Sequence, residues 1–392
     1  MSNSAIKKIK VMHIVGARPN FMKVAPIMKE MSKYPQLINQ ILVHTGQHYD
    51  ENMSKIFFEN IDLPDPDIYL GVGSGSHAQQ TSRIMLAFEP LLLKHKPEWV
   101  IVVGDVNSTV ACALTSAKLG IRVAHIEAGL RSFDSTMPEE INRVITDHIA
   151  DFLFTTEMSA NKNLSREGIS KDKIHFVGNV MIDTLLQLIP KTHDRPILSK
   201  LSLIKKLNKK KEQIILDEDK KEVIPSNLLK KFVLVTLHRP SNVDNEITLR
   251  EIVLALSDIS KNMPVIFVAH PRTQKRMKQF NFRINSKNLS ILEPLGYIDF
   301  LALMRSASLV ITDSGGIQEE TTFLGIPCLT IRPNTERPIT IELGINQLVP
   351  NKRKLIVDAA FESLKKDWNS NKKKPPLWDG HAAQRIVKTL LR

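Results

Sequence analysis

Short apolar runs alternate with longer amphipathic stretches along most of the 392 residues. Residues 11–15, 41–45, 99–103, 123–126, 152–156 and 174–177 are strand-length apolar runs bounded by Gly, Asn, Asp or Glu. That is the pattern of strands buried on both faces of a parallel sheet. Between them, 78–93, 107–119 and the stretch opened by Pro138 predict helices. Asn107 and Ser108 stand where one helix is capped, and Gly120 where it ends. The pattern collapses into Lys, Glu and Asp with scattered Leu and Ile between 190 and 231. It restarts at 232–237, 265–269, 291–292, 309–312 and 328–331, with helices reaching 307 and covering 317–324. A last amphipathic helix, 381–391, is expected to pack back on the first domain.

This alternation predicts two Rossmann-like, doubly wound α/β domains, 1–189 and 232–374, joined by a charged linker or insert at 190–231 and followed by the C-terminal segment 375–392. Ligands of such sheets bind beyond the carboxyl ends of the strands, so a cleft between the domains is the expected site.

Composition narrows the function. Hydrophobic residues at 42% and charged residues at 24% are ordinary for a globular protein. No apolar run approaches the roughly 18 residues of a membrane span, and the N-terminus lacks a signal-peptide pattern. Cys112 and Cys328 read as packing residues in a reducing cytoplasm, with no Cys/His metal cluster. The net charge of +13 concentrates in 205–231 and 352–374, where few aromatics stand between the lysines to stack bases. These tracts read as solvated surface, and nucleic acid as a partner is not expected. The excess charge points weakly to an anionic small molecule.

Three acids end up at strand ends or helix starts. Asp105 follows the run 99–103, Glu127 follows 123–126, and Glu139 sits in the first turn after Pro138. Each has a plainer alternative: a helix cap for Asp105, a surface ion pair for Glu127, and for Glu139 a first-turn acid paired with Arg143 four residues on. Arg18 and Lys23 supply cations beside a helix start that lacks the dinucleotide glycine fingerprint. In the second half, His238 and Arg239 end a strand. Ser314, Gly315 and Gly316 open a helix whose N-terminus suits phosphate, and Glu320 lies one turn in, within reach of a ribose diol. Arg337 follows the last strand.

The segments GARPNFMKVAPIM, TGQHYD, GDVNST, HIEAGLRS, MPEEINR, LHRPSN, DSGGIQEE and NTERP, in this order from about residue 10 to 350, resemble the non-hydrolysing UDP-N-acetylglucosamine 2-epimerase family. The resemblance implies a glycosyltransferase-B-like fold, a homodimer, and interconversion of UDP-GlcNAc and UDP-ManNAc through 2-acetamidoglucal for surface polysaccharide synthesis, without nicotinamide or metal. It implies that Asp105, Glu127 and Glu139 are the catalytic carboxylates and that His238 meets the diphosphate. Arg18, Lys23, Ser314, Gly315, Gly316 and Arg337 would hold the nucleotide, Glu320 the ribose, and Phe300 and Leu295 the uracil, while Arg143 helps the leaving group. Crowded carboxylates of this kind are expected to titrate as a coupled set.

Two segments depart from the family's bacterial members. Gln47-His48-Tyr49-Asp50 and His238-Arg239-Pro240-Ser241-Asn242 replace motifs tied there to activation by substrate. The departures leave room for a sugar modified at carbon 3 or 6. The alternatives are a hydrolysing 2-epimerase releasing ManNAc and UDP, and a glycosyltransferase of the same fold.

Overall fold

A computed structural model describes residues 8–47, 61–193, 195–203, 215–216, 222–223, 229–282, 286–368 and 373–392, with residues 18, 215, 216, 222 and 223 described by backbone alone. Two compact units form, Met1–Thr184 with Pro376–Arg392, and Leu185–Pro375.

The first unit is built on strands β1 (Ile9–Val15), β2 (Ile38–His44), β3 (Ile68–Tyr69), β4 (Trp99–Val103), β5 (Arg122–Ala128), β6 (Phe152–Thr155) and β7 (Ile174–Phe176). They pair in parallel in the order β3-β2-β1-β4-β5-β6-β7. All five residues of β4 are buried, as a strand covered by helices on both faces requires. The covering helices include α1 (Arg18–Met31), α2 (His77–His95), α3 (Asn107–Lys118) and α4 (Pro138–Ile149). Strand order reverses at β1, so the carboxyl ends of β1 and β4 flank a switch point where the chain leaves a crevice.

Two helix starts differ from the sequence expectation. Helix α1, expected from the sequence to begin near Asn20 or Phe21, begins at Arg18, because Pro19 with its fixed φ suits a first turn. Helix α3 has Val106 at its N-cap, which leaves Asn107 and Ser108 inside the first turn with side chains turned to Gln80 of α2 and to Gln47 after β2.

In the second unit the short antiparallel strands β8 (Ile215–Leu216) and β9 (Glu222–Val223) stand apart from the main sheet. That sheet comprises β10 (Val233–Thr236), β11 (Val265–Val268), β12 (Leu289–Leu292), β13 (Leu309–Thr312), β14 (Cys328–Thr330) and β15 (Asn346–Leu348). It is parallel in the order β12-β11-β10-β13-β14-β15, with its own switch point between β10 and β13. Most of the charged 204–228 stretch lies outside the described residues, whereas 195–203 joins the second unit: Arg195 holds Asp299 through two bonds of 2.6 and 2.8 Å.

The C-terminal helix Ala382–Leu390 packs on α1 and buries Ala383, Ile386, Val387 and Leu390. Each larger side chain removed from water contributes about 1.5–3 kcal/mol. Trp378 precedes it and donates its indole N–H to the Thr156 carbonyl at 3.0 Å. Asp183 receives the first N–H groups of that helix, Ala382 at 3.2 Å and Ala383 at 2.8 Å. Burial outweighs these donors and pushes the Asp183 pKa from 3.8 up to about 6. The folded chain therefore holds a proton that the unfolded chain releases. The stability this gives is full below the unfolded value of 3.8 and is lost as pH rises towards about 6. Asp183→Asn is expected to flatten the fall in unfolding free energy between about pH 4 and 6, measured in urea; an unchanged slope would remove Asp183 as its source.

Candidate active site

At the first switch point Gly104 turns the chain out of β4. Its φ is +66°, and a Cβ there would lie 3.0 Å from Lys23 Nζ and 3.3 Å from a Glu127 oxygen. Glycine is thus required by both conformation and proximity. Asp105 follows, its Oδ2 bonded by Arg143 Nε at 3.0 Å and Nη2 at 2.8 Å. Its carbonyl accepts from Asn142 at 2.9 Å. Arg143 Nη1 also reaches Glu140, so this buried guanidinium bridges two carboxylates. Glu140 in turn receives Ser132 N at 2.9 Å and Phe133 N at 2.9 Å, which fixes the loop leading into α4.

Glu127 lies at the end of β5 with φ at +69°, where the register with β6 shifts between Ile126 and Ala128. A non-glycine residue in this region is uncommon and marks a position held by its surroundings. Its carboxylate, 5% exposed, forms an ion pair with Lys23 from α1.

Asp105, Glu127, Lys23 and Arg143 are therefore one cluster. Glu139 stands exposed in the first turn of α4, with no hydrogen bond or ion pair among the described residues. The pairing of Glu139 with Arg143 that helix spacing suggests does not form, because Arg143 turns to Asp105 and Glu140. The pair made by Glu127 is buried, and Asp105 caps no helix. Arg18 opens α1, but its side chain lies outside the described residues, as do His48, Tyr49 and Asp50 of the loop after β2.

At the second switch point His238 follows β10 and Asp313 follows β13. Asp313 is fully buried and accepts from His238 N at 3.1 Å, Arg239 N at 3.0 Å and Asn242 Nδ2 at 3.1 Å, with His238 Nδ1 at 3.1 Å. Burial pushes its carboxyl up, yet the hydrogen bond and charge of His238, with Arg239 and Asn242, hold it below the usual aspartate value.

Ser314 occupies the N-cap of the helix Gly315–Leu324, which starts at the glycine pair itself. A Cβ on Gly315 would sit 2.5 Å from Arg337 Nη1, so the missing side chain lets the guanidinium lie against the helix start. Arg337 is held by Glu336 at 2.7 Å and Glu319 at 2.9 Å, and Glu336 also takes Arg332 at 2.8 Å. Backbone N–H groups and a helix dipole thus meet guanidinium and carboxylate groups at one place, the ingredients of a candidate anion site.

One turn into that helix, buried Glu320 accepts from Tyr297 Oη at 2.5 Å. Tyr297 begins the helix Tyr297–Ser306 with Gly296 at its N-cap, and half-buried Leu295 and Phe300 flank this start.

Sequence reasoning missed Glu140, Tyr297 and Asp313. Only Glu140 carried a local signal, its spacing of three from Arg143. Asp313 finds its partners on the loop after the neighbouring strand, and Tyr297 meets Glu320 on another helix.

The chain matches the family model described as UDP-N-acetylglucosamine 2-epimerase over residues 29–391. It is 43% identical to the UDP-N-acetylglucosamine 2-epimerase of Methanocaldococcus jannaschii, covering 97% of this chain and 99% of the relative. It is 39% identical to the UDP-2,3-diacetamido-2,3-dideoxy-D-glucuronate 2-epimerase of Pseudomonas aeruginosa, covering 91% and 93%. The crystal structure of the M. jannaschii UDP-GlcNAc 2-epimerase in complex with UDP-GlcNAc and UDP superposes with a TM-score of 0.84 at 41% identity, over 97% of this chain and 99% of that one. No helix among the described residues is long and apolar enough to cross a membrane. With two parallel α/β sheets, matching motifs and relatives aligned almost end to end, the chain belongs to the UDP-N-acetylglucosamine 2-epimerase family.

Proposed function

We propose that this chain interconverts UDP-GlcNAc and UDP-ManNAc without hydrolysis, in a cytoplasmic pathway supplying surface polysaccharide precursors. The observation that carries this reading is the pairing of carboxylate with cation at the first switch point: Asp105 with Arg143 and, across Gly104, Glu127 with Lys23. The proton on sugar carbon 2 is not beside a carbonyl, so a carboxylate base needs a good leaving group to drive its removal. As the bond from carbon 1 to the UDP oxygen breaks, the carbon 2–hydrogen electrons form the double bond of 2-acetamidoglucal and the proton passes to a carboxylate. UDP then adds back to carbon 1 while a carboxylate on the opposite face returns a proton to carbon 2.

Asp105, Glu127 and Glu139 are the acids and bases of this scheme. Cations stabilise the charge on the departing diphosphate, a task for Arg18, Lys23 and Arg143. In the second unit His238, Ser314, Gly315, Gly316 and Arg337 hold the diphosphate, Glu320 holds the ribose diol, and Leu295 and Phe300 hold the uracil. The free, buried thiols of Cys112 and Cys328 suit a reducing cytoplasm. Leu86 and Leu93 on α2 and Ile141 and Ile145 on α4 remain exposed, which favours a homodimer.

The relative acting on a diacetamido glucuronate supports a second reading, a substrate carrying groups at carbon 3 or 6.

Proton NMR of the protein with UDP-GlcNAc in deuterated water tests the proposal, with light scattering of the same sample expected to give twice the 44.3 kDa chain mass. UDP-ManNAc with deuterium at carbon 2 is the expected product. Free ManNAc and UDP would place the protein on a hydrolysing branch. An unchanged spectrum would overturn UDP-GlcNAc as substrate in favour of a modified sugar or a transferase lacking its acceptor.

A further inference from the structure

His125 lies on β5, two residues before Glu127, and is fully buried. Its Nδ1 is 2.7 Å from Asp147 Oδ1 and its Nε2 is 2.8 Å from the Gly104 carbonyl oxygen. A carboxylate and a carbonyl can only accept, so both ring nitrogens must carry hydrogen for both bonds to exist. A neutral imidazole, with one N–H, would set a lone pair against a lone pair at one end.

We propose that His125 is held as a buried imidazolium and is a positioning residue for the candidate carboxylates, tying the turn that carries Asp105 to the helix that carries Glu139. Asp147 is on α4, two turns beyond Glu139, and Gly104 immediately precedes Asp105. The other oxygen of Asp147 accepts from Gly129 N at 3.0 Å, so the same carboxylate also fixes the chain just after Glu127.

The charge is balanced locally. Arg131 pairs with Asp147 at 2.7 Å and with Glu167 through bonds of 2.8 and 2.7 Å. Two cations thus face two carboxylates, and no isolated charge is left in the interior. Burial pushes the Asp147 carboxyl up, but the charges and hydrogen bonds of His125 and Arg131 hold it below the usual aspartate value.

The inference rests on the reading of Asp105, Glu127 and Glu139 as reacting groups, and two measurements separate its fate from that reading. In protein labelled with ¹⁵N-histidine, His125 is expected to show two N–H correlations, assigned by through-space contacts to Gly104 and Asp147. A single N–H, with the other nitrogen unprotonated, overturns the proposal whatever the enzyme's substrate, and this spectrum needs no folded variant.

His125→Asn keeps a donor towards Asp147 and His125→Gln keeps one towards Gly104, but neither spans both. Either is expected to lower kcat roughly a hundredfold, the cost of misplacing a reacting group by about an ångström, with KM for the nucleotide sugar little changed. A folded variant with wild-type kcat, or with only KM altered, also overturns it. Absence of any turnover by the wild type would sink the epimerase reading and leave the N–H count to decide the imidazolium.

Discussion

Glu127→Gln is expected to cut kcat by roughly a thousandfold, within the range for loss of a general acid or base. It should also lower the unfolding free energy by about 3 kcal/mol. The side chains are nearly isosteric, so the catalytic loss would come from the missing charge and proton-accepting oxygen. The stability loss has a separate source: Lys23, largely buried beside Glu127, is left with its ammonium unbalanced. Removing one partner of a buried pair costs about 3–5 kcal/mol, whereas replacing both by uncharged groups of similar size is often near neutral.

Lys23→Met combined with Glu127→Gln is accordingly expected to recover most of the lost stability and none of the activity. Steady-state rates and urea unfolding of the three variants separate the two roles. If Glu127→Gln keeps kcat within tenfold of wild type, Glu127 is a structural partner of Lys23 and the proton transfers belong to Asp105 and Glu139. If the double variant regains turnover with its stability, the charge of Glu127 has no part in the chemistry.

The strands were legible because burial on both faces leaves an unbroken apolar run, as in Trp99–Val103, and a glycine or acid marks where such a run leaves the sheet. The same logic located Asp105 and Glu127 before any geometry was known. The conformation of Glu127 was not legible, since nothing in Ile126-Glu127-Ala128 announces a left-handed residue; the register shift against β6 imposes it.

The partners of Arg143 were not legible for a comparable reason. Helix spacing puts Glu139 and Glu140 equally within its reach, and the choice falls to contacts outside the helix, Ser132 and Phe133 on one side and Asp105 on the other. The glycines at 315 and 316 were expected to open a helix over 317–324, and they stand inside its first turn. In the first turn, however, a glycine gives up little, and Arg337 occupies the space a side chain would take. Tyr297 and Glu320 lie 23 residues apart, beyond any local pattern.

Asp313→Asn is the counterpart test for the second unit. The carboxylate offers two oxygens to donors from His238, Arg239 and Asn242, and every one of those partners donates. An asparagine keeps one acceptor and turns an NH₂ group towards the rest, so at least one buried N–H loses its partner. Each such loss costs about 1–3 kcal/mol, and an overall destabilisation of about 2–5 kcal/mol is expected.

The pH dependence has a definite sign. The Asp313 pKa is depressed in the fold, so its contribution is present above the unfolded value of 3.8 and is lost as pH falls through the lower folded value. In the variant that part of the acid unfolding should vanish. The Asp313 carboxylate holds both backbone N–H groups of His238 and Arg239, so UDP affinity is expected to fall about tenfold, near 1.4 kcal/mol, by calorimetric titration. Wild-type UDP affinity in a destabilised Asp313→Asn would confine Asp313 to folding and detach His238 from the nucleotide. Wild-type stability with weakened binding would place its effect on the ligand directly.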